Sequence, residues 1–408
     1  MDAIYNTIRT KKTFYRPMIF ICFIFNACVE TFEPSTEIFE SALIIEATLT
    51  NEEKSHTILL SRTFRLEEDG PNPETDAVVR ITDDQQNEYI FEETTAGAYT
   101  ATLPFSAEPN RSYLLSVITS DGRRYSSEPT TLTPTAEILD LYASREINDR
   151  NEEGMAIFID NVDPSGNARF FRYEYEETYR IIAPRWVSVD AVVVRDRPRP
   201  SIVILEPKSE EQRVCYNTVL SNTIILGDTD NFSQNGLTRF PVRFISKDNY
   251  IISHRYSILV RQFVQSMEAY AYFETLNEFS SQAESLFSQI QPGFFNGNVF
   301  SEESTEEKVL GFFQVSSVTS QRLYFNYVDF FPNEPLPPYE SDCSQEFTPQ
   351  LPPIAPDGPS PLVQAINSLG QKYVDANGDT DRPYILVTRS CGDCTALGSN
   401  VVPDFWIE

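Results

Sequence analysis

The sequence predicts a mainly β protein: two immunoglobulin- or fibronectin-like β-sandwich domains, the second with a helical insertion. Three observations predict it. From Ser41 onward, short runs of alternating apolar and polar residues recur, the period of strands with one buried face. Turn formers such as Asp121-Gly122 and Asp163-Pro164-Ser165-Gly166 punctuate them. One segment, after Ser266, changes to a helical period.

The first 27 residues stand apart. Arg9, Lys11, Lys12 and Arg16 precede the apolar run Met18–Phe25, and Asn26-Ala27-Cys28 follows. Basic region, apolar region and a small residue before a cysteine is the order of a secretory signal whose cut leaves Cys28 first and lipid-bearing. The run is shorter than the ~20 apolar residues that span a bilayer. Residues 28–41 are acidic, lack core periodicity and read as a tether from the lipid to the first domain.

Composition narrows the function classes. The formal charge is −28 over 408 residues, and the first 27 residues carry +3, which leaves −31 on the remainder. A surface this acidic repels nucleic acid and anionic headgroups and keeps an exported protein soluble. Hydrophobic residues make up 41% of the chain, enough for real cores. Of six cysteines, Cys22 leaves with the signal and Cys28 takes the lipid. Cys215, Cys343, Cys391 and Cys394 remain, and in an exported protein they predict two disulfides. Three pairings are open; those in which Cys391 and Cys394 each reach one distant cysteine tie the C-terminal end down. No βαβ context around Cys391-Gly-Asp-Cys394 supports a redox motif, and no second close pair supports a zinc site.

The first domain, 42–134, builds from Leu43-Ile45-Ala47-Leu49, then His56-Ile58-Leu60, Val79-Ile81, Tyr89-Phe91, Tyr99-Ala101-Leu103 and Tyr113-Leu115-Val117. A long polar loop, 61–77, interrupts it, and Arg62, Arg65, Glu67, Glu68 and Asp69 are its candidate contact residues. The second domain, 135–408, opens with Met155-Ile157-Ile159. Phe171, Tyr173, Tyr175 and Tyr179 then point one way while Arg172, Glu174, Glu176 and Thr178 point the other. Residues 184–211 are Pro- and Arg-rich and irregular; Trp186 there is the aromatic expected at the surface. Strands follow near 223–226, 239–245 and 256–263. The helical insertion near 266–290 starts at Ser266 as N-cap, with Met267, Tyr270, Phe273, Leu276 and Phe279 as its apolar stripe and Ala269 and Tyr272 broadening the face. Strands near 309–315 and 323–325 complete the second domain, a Pro-rich loop spans 332–361, and Pro403–Trp406 reads as a docked tail.

Chemistry is sparse. The two histidines, His56 and His254, neighbour neither a GxSxG nor an HExxH motif, so a His-dependent triad or a multi-histidine metal site lacks support. Asp375, Asn377, Asp379 and Asp381 alternate as calcium ligands do, but Thr380 stands where the EF-hand loop needs glycine and no glutamate closes it. A turn rich in turn formers is the plainer reading, and no cofactor is expected.

An ordered set of stretches resembles a known family: CVETFEP at 28, LIIEATLTNEEKSHTILLSRTFRLEEDGP (43–71), YSILVRQFVQSMEAYAYFETL (256–276), QPGFFNGNV (291–299), VLGFFQVS (309–316) and CGDC with PDFW at 391–406. They are similar to the Bacteroidota lipoproteins catalogued as domain of unknown function 4249. The acidic residues after Cys28 also resemble the surface-export signal of Bacteroidota lipoproteins. The resemblance implies an outer-membrane lipoprotein, on the extracellular face, whose partner is a TonB-dependent receptor or another β-barrel; it implies no catalytic residue. The expectation is a non-enzymatic accessory of such a barrel. The alternative is a surface protein that captures a glycan, peptide or chelate for a transporter.

Overall fold

The structure is a computed structural model and describes residues 41–64, 70, 72–229, 235–282, 297–354 and 358–408, with side chains 279–282 left out. Cys28, Arg65, Glu67, Glu68 and Asp69 lie outside these residues, as does the continuation of the helical insertion past 282.

Alternation sets the strands. In chain order they are β1 (Leu43–Thr50), β2 (Thr57–Arg62), β3 (Asn72–Pro73), β4 (Val78–Asp83), β5 (Glu88–Thr95), β6 (Ala98–Ala101), β7 (Ser112–Ile118), β8 (Arg124–Ser127), β9 (Thr130–Thr131), β10 (Glu137–Ile147), β11 (Glu153–Val162) and β12 (Phe170–Ile182). Then come β13 (Val189–Arg195), β14 (Ile202–Pro207), β15 (Val214–Leu220), β16 (Ile225–Asp228), β17 (Phe240–Ser246), β18 (Arg255–Gln265), the helix α1 (Met267–Gln282), β19 (Val299–Ser301), β20 (Val309–Ser316) and β21 (Val318–Asn326). Two short helices, α2 (Tyr327–Phe330) and α3 (Pro361–Asn367), the hairpin β22 (Lys372–Ala376) and β23 (Tyr384–Val387), and the turn helix α4 (Arg389–Gly392) end the chain.

Among the described residues eleven strands join in one sheet, whose main path runs β19-β8-β7-β4-β5-β6-β2-β1-β20. Its inward residues, among them Leu43, Ile45, Leu49, Tyr99, Tyr113, Leu115 and Tyr125, form one core. β20 was expected in the second domain. It instead pairs in parallel with β1, Leu43 opposite Val309 through Thr50 opposite Ser316. A strand's own pattern specifies its buried face but not its neighbour, so the sequence could not assign β20. Asn298, just before β19, donates to the Phe313 carbonyl at 2.8 Å and accepts from the Phe313 amide at 2.7 Å, which draws the two sheet edges together. Gly311 makes the β1–β20 approach possible: its φ is +139°, and a Cβ there would lie 2.1 Å from the Ile45 carbonyl oxygen.

A second core lies between the sheet β10-β11-β17 and the sheet β15-β12-β18-β21, with β16 also on β12. β12 follows its predicted alternation: Phe171, Tyr173, Tyr175 and Tyr179 are buried in this core. Thr178, on the opposite side, is buried as well, its hydroxyl 2.9 Å from that of Thr218. Residues 184–211 are not irregular throughout: β13 and β14 pair as a hairpin and share a third, small core with Leu362, Ala365, Tyr373 and Leu386. Residues 41–408 form one compact unit.

Ser266 caps α1 through its Oγ, which accepts from the Ala269 amide at 3.1 Å. Ala269, Tyr270, Tyr272, Phe273 and Leu276 of the expected face are buried or partly buried, and Met267 is the exception. Met267 is 64% exposed, whereas Ala269 is 1% exposed. The small alanine lets the helix approach β12 and β20, and longer side chains ride beside it. No described helix is long and apolar enough to cross a membrane.

Candidate functional site

The outer face of the five-stranded sheet carries paired charges and aromatic rings side by side. Cross-strand register sets three successive rows: Arg172 opposite Phe263 opposite Val318, Glu174 opposite Arg261 opposite Ser320, and Glu176 opposite Leu259 opposite Arg322. These are the residues that alternation sends away from the core.

A groove of about 780 Å³ lies over these rows. Glu52 and Lys54 of the β1–β2 loop form one wall, and Ser221–Ile224 after β15 form the other. Arg172 and Glu174 also line an adjoining slot of about 420 Å³ beneath α1, where Tyr272, Phe273 and Leu276 face Ile44, Leu310 and Phe312. Both volumes fall in the ~300–1,000 Å³ range of small-ligand sites.

Arg172 stands at the junction. Its guanidinium carbon sits 4.5 Å from the Phe263 ring centroid and 4.7 Å from that of Phe273, an arrangement that favours a cation on both π faces. One terminal nitrogen pairs with Glu174, while Nε is buried without a hydrogen-bond partner. The guanidinium carbon of Arg261 lies 5.2 Å from the Phe263 ring centroid, and Arg261 pairs with Glu52, which also takes Lys54 at 2.6 Å. Burial alone would raise the Glu52 carboxyl, but the Lys54 hydrogen bond and the Arg261 charge outweigh it and hold Glu52 below its ordinary range. The groove therefore presents fixed charges of both signs.

Farther along the same face, residues 403–408 lie across the strands. Phe405 packs under Arg322, whose guanidinium is 3.6 Å from the ring centroid. Trp406 meets Tyr216 and Tyr324 edge-on, at 4.9 and 6.3 Å between centroids. Tyr324 Oη donates to the Phe405 carbonyl, Arg255 Nε to the Ile407 carbonyl, and Arg180 pairs with Glu408. Arg322 also reaches Glu176 at 2.8 Å, so the seat of this tail and the groove share a wall.

The remaining candidate residues are dispersed. Cys215 joins Cys394, and Cys343 joins Cys391, so both cysteines of the 391–394 pair reach a distant partner. Asp375, Asn377, Asp379 and Asp381 occupy the exposed β22–β23 turn: Asp375 accepts from Ala376 N, Asp379 from Asp381 N, and Asn377 donates to the Arg382 carbonyl. Among the described residues no group of three His, Cys, Asp or Glu side chains is placed to hold a metal ion. Arg62 turns inward to pair with Glu74. Trp186, expected at the surface, is partly buried against the second core, with Lys208 and Arg213 each 5.9 Å from its ring; the hairpin β13–β14 orders this stretch. Sequence reasoning placed Arg172, Glu174 and Glu176 on the polar face but could not show that Arg261, Phe263 and Phe273 join them.

A family model described as "Domain of unknown function (DUF4249)" matches residues 29–322. No curated protein matches the chain. Among solved structures, a DUF4785 family protein from Legionella pneumophila is similar at 10% identity, covering 53% of this chain and 50% of that one, with a TM-score of 0.17. The match thus spans half of that protein, and a likeness so slight carries no argument.

Proposed function

The chain belongs to the DUF4249 family, and from that premise we propose that it is a non-enzymatic lipoprotein, held by Cys28 at the outer face of the outer membrane as an accessory of a TonB-dependent transporter or another β-barrel complex. The observation that carries this reading is the order of the first 43 residues: a basic stretch, an apolar run, Ala27-Cys28, an acidic link, then β1. Acyl chains contribute ~0.8 kcal/mol per buried CH₂, so a multiply acylated cysteine anchors firmly. Confinement to one leaflet raises the effective concentration at a membrane partner, and a modest interface then suffices.

Burial of both histidines weighs against a histidine base. His56 donates from Nε2 to the Phe105 carbonyl at 2.9 Å and packs edge-on against the Phe105 ring, and burial pushes its pKa down to about 4. His254 is likewise shifted down, by burial first and by Arg180 second. Kinship of the two larger cores with immunoglobulin- or fibronectin-like sandwiches is part of the same proposal.

The test is affinity recovery of the full chain from detergent-solubilised native membranes. The expected result is co-purification with a β-barrel protein that is lost in Cys28→Ser. Recovery alone, with the lipid intact, defeats the accessory reading. A second reading, capture of a ligand for a transporter, is favoured by one observation: the two-part groove at Arg172 is concave and lined by fixed charges and aromatic rings.

A further inference from the structure

We propose that the groove over Glu174, Arg261 and Ser320 binds a peptide segment bearing aromatic and acidic side chains; this rests on the ligand-capture reading above.

The face already holds one segment of its own chain. Residues 403–408, Pro-Asp-Phe-Trp-Ile-Glu, are a segment of this chemistry that turns at Asp404-Phe405, where the Trp406 amide donates to the Pro403 carbonyl at 2.9 Å. The sheet recognises it in two ways. Donors from Tyr324 and Arg255 take main-chain carbonyls, a contact that any peptide offers. Arg322 covers an aromatic ring, and Arg180 takes a carboxylate. The face is thus a seat for peptide backbone with aromatic and acidic side chains, and its own tail fills half of it.

The empty half repeats these elements. Arg322 and Glu176 mark the border, and the next rows bring Arg261 beside Phe263 and Arg172 between Phe263 and Phe273. The slot beneath α1 offers an aromatic side chain an apolar recess opening off the same groove. Lys54, Arg172 and Arg261 alternate with Glu52, Glu174 and Glu176. Mixed signs disfavour a polyanion such as nucleic acid and suit a ligand whose own polar groups alternate, as those of a peptide do.

The experiment uses the full lipid-bearing chain in detergent and two fluorescein-labelled hexapeptides, Pro-Asp-Phe-Trp-Ile-Glu and the control Pro-Lys-Ala-Ala-Ile-Lys, followed by fluorescence anisotropy. Ser320→Trp and Thr223→Trp fill the groove from exposed positions and leave every contact described above in place; unchanged melting confirms their folding. The expected result is saturable binding of the first peptide only, weakened at least tenfold in both variants. Absence of saturable binding overturns the proposal. So does binding that ignores both variants but tightens in Phe405→Ala, because the probe is then displacing the tail rather than entering the groove. Maltoheptaose serves as a non-peptide probe. If it binds in a Ser320→Trp-sensitive manner and the peptide does not, the peptide assignment fails and the capture reading stands; if neither probe binds, both fail.

Discussion

Phe405 lies 3.6 Å beneath the guanidinium of Arg322, and this contact closes one end of the outer sheet face. The stack joins the last residues of the sequence to the centre of a strand that also grips Glu176 and Ser257. It fixes where the tail ends and where the open groove begins.

Removing the ring releases that end. Phe405→Ala is expected to lower stability by about 1–2 kcal/mol, the range of a partly exposed aromatic with its cation–π contact. Hydrogen exchange at residues 400–408 should rise at least tenfold while β11, in the opposite sheet, stays protected. Equal loosening of both would show that the tail is not a separately detachable strap.

His56 makes stability depend on acid. Burial lowers its pKa from 6.5 to about 4, with the Lys54 charge as the next cause, so the unfolded chain takes up the proton first as pH falls. The contribution of neutral, buried His56 is complete above pH 6.5 and is lost as pH drops toward 4, on the order of 2–3 kcal/mol in all. Urea midpoints of wild type and His56→Gln between pH 7 and 4 check this: the variant should show a flatter decline across that window.

The two disulfides should differ in weight. Cys215 and Cys394 are 179 residues apart, Cys343 and Cys391 only 48. Longer closed loops restrict the unfolded chain more, so Cys215→Ala/Cys394→Ala should cost about 1 kcal/mol more than Cys343→Ala/Cys391→Ala. Denaturant titration of the two double variants under oxidising conditions measures the difference.

Gly311→Ala tests the closure of the first sheet. A Cβ 2.1 Å from the Ile45 carbonyl oxygen, on a backbone with φ of +139°, forces β20 away from β1. The expected loss is on the order of 3 kcal/mol, read as a lower thermal midpoint with early exchange of the amides in 43–50 and 309–316. Gly122→Ala is the control: its φ is also positive, at +88°, but a Cβ there has open space, so only the conformational strain remains.

Much of this architecture was legible because burial and period coincide. β12 shows it best: one side of the strand was assigned to the core residue by residue, and Phe171, Tyr173, Tyr175 and Tyr179 are there. Three things were not legible, each for a physical reason. The partner of β20 is set by a long-range parallel pairing, which local alternation does not encode. The hairpin β13–β14 is hidden by the Pro- and Arg-rich tip between its strands, although Val189–Val193 and Ile202–Leu205 are good strand formers. Met267, counted in the apolar stripe of α1, is 64% exposed, because the helical period alone does not show where along the helix the packed surface begins. At the site, alternation supplied Arg172 and Glu174, whereas the rings that hold Arg172 come from β18 and α1 and meet only in three dimensions. Cysteine spacing left the disulfide partners open for the same reason.

The parallel contact between β1 and β20 has a consequence for biogenesis. The β strand nearest the proposed anchor acquires its last neighbour only when a stretch some 260 residues later arrives. A chain translocated amino end first would thus cross the envelope with its leading half still unsealed, exposing apolar surface to any holding factor on the far side. Truncation before residue 309 should therefore yield an aggregating fragment rather than a smaller working protein, and fusion or tagging is best placed beyond that point.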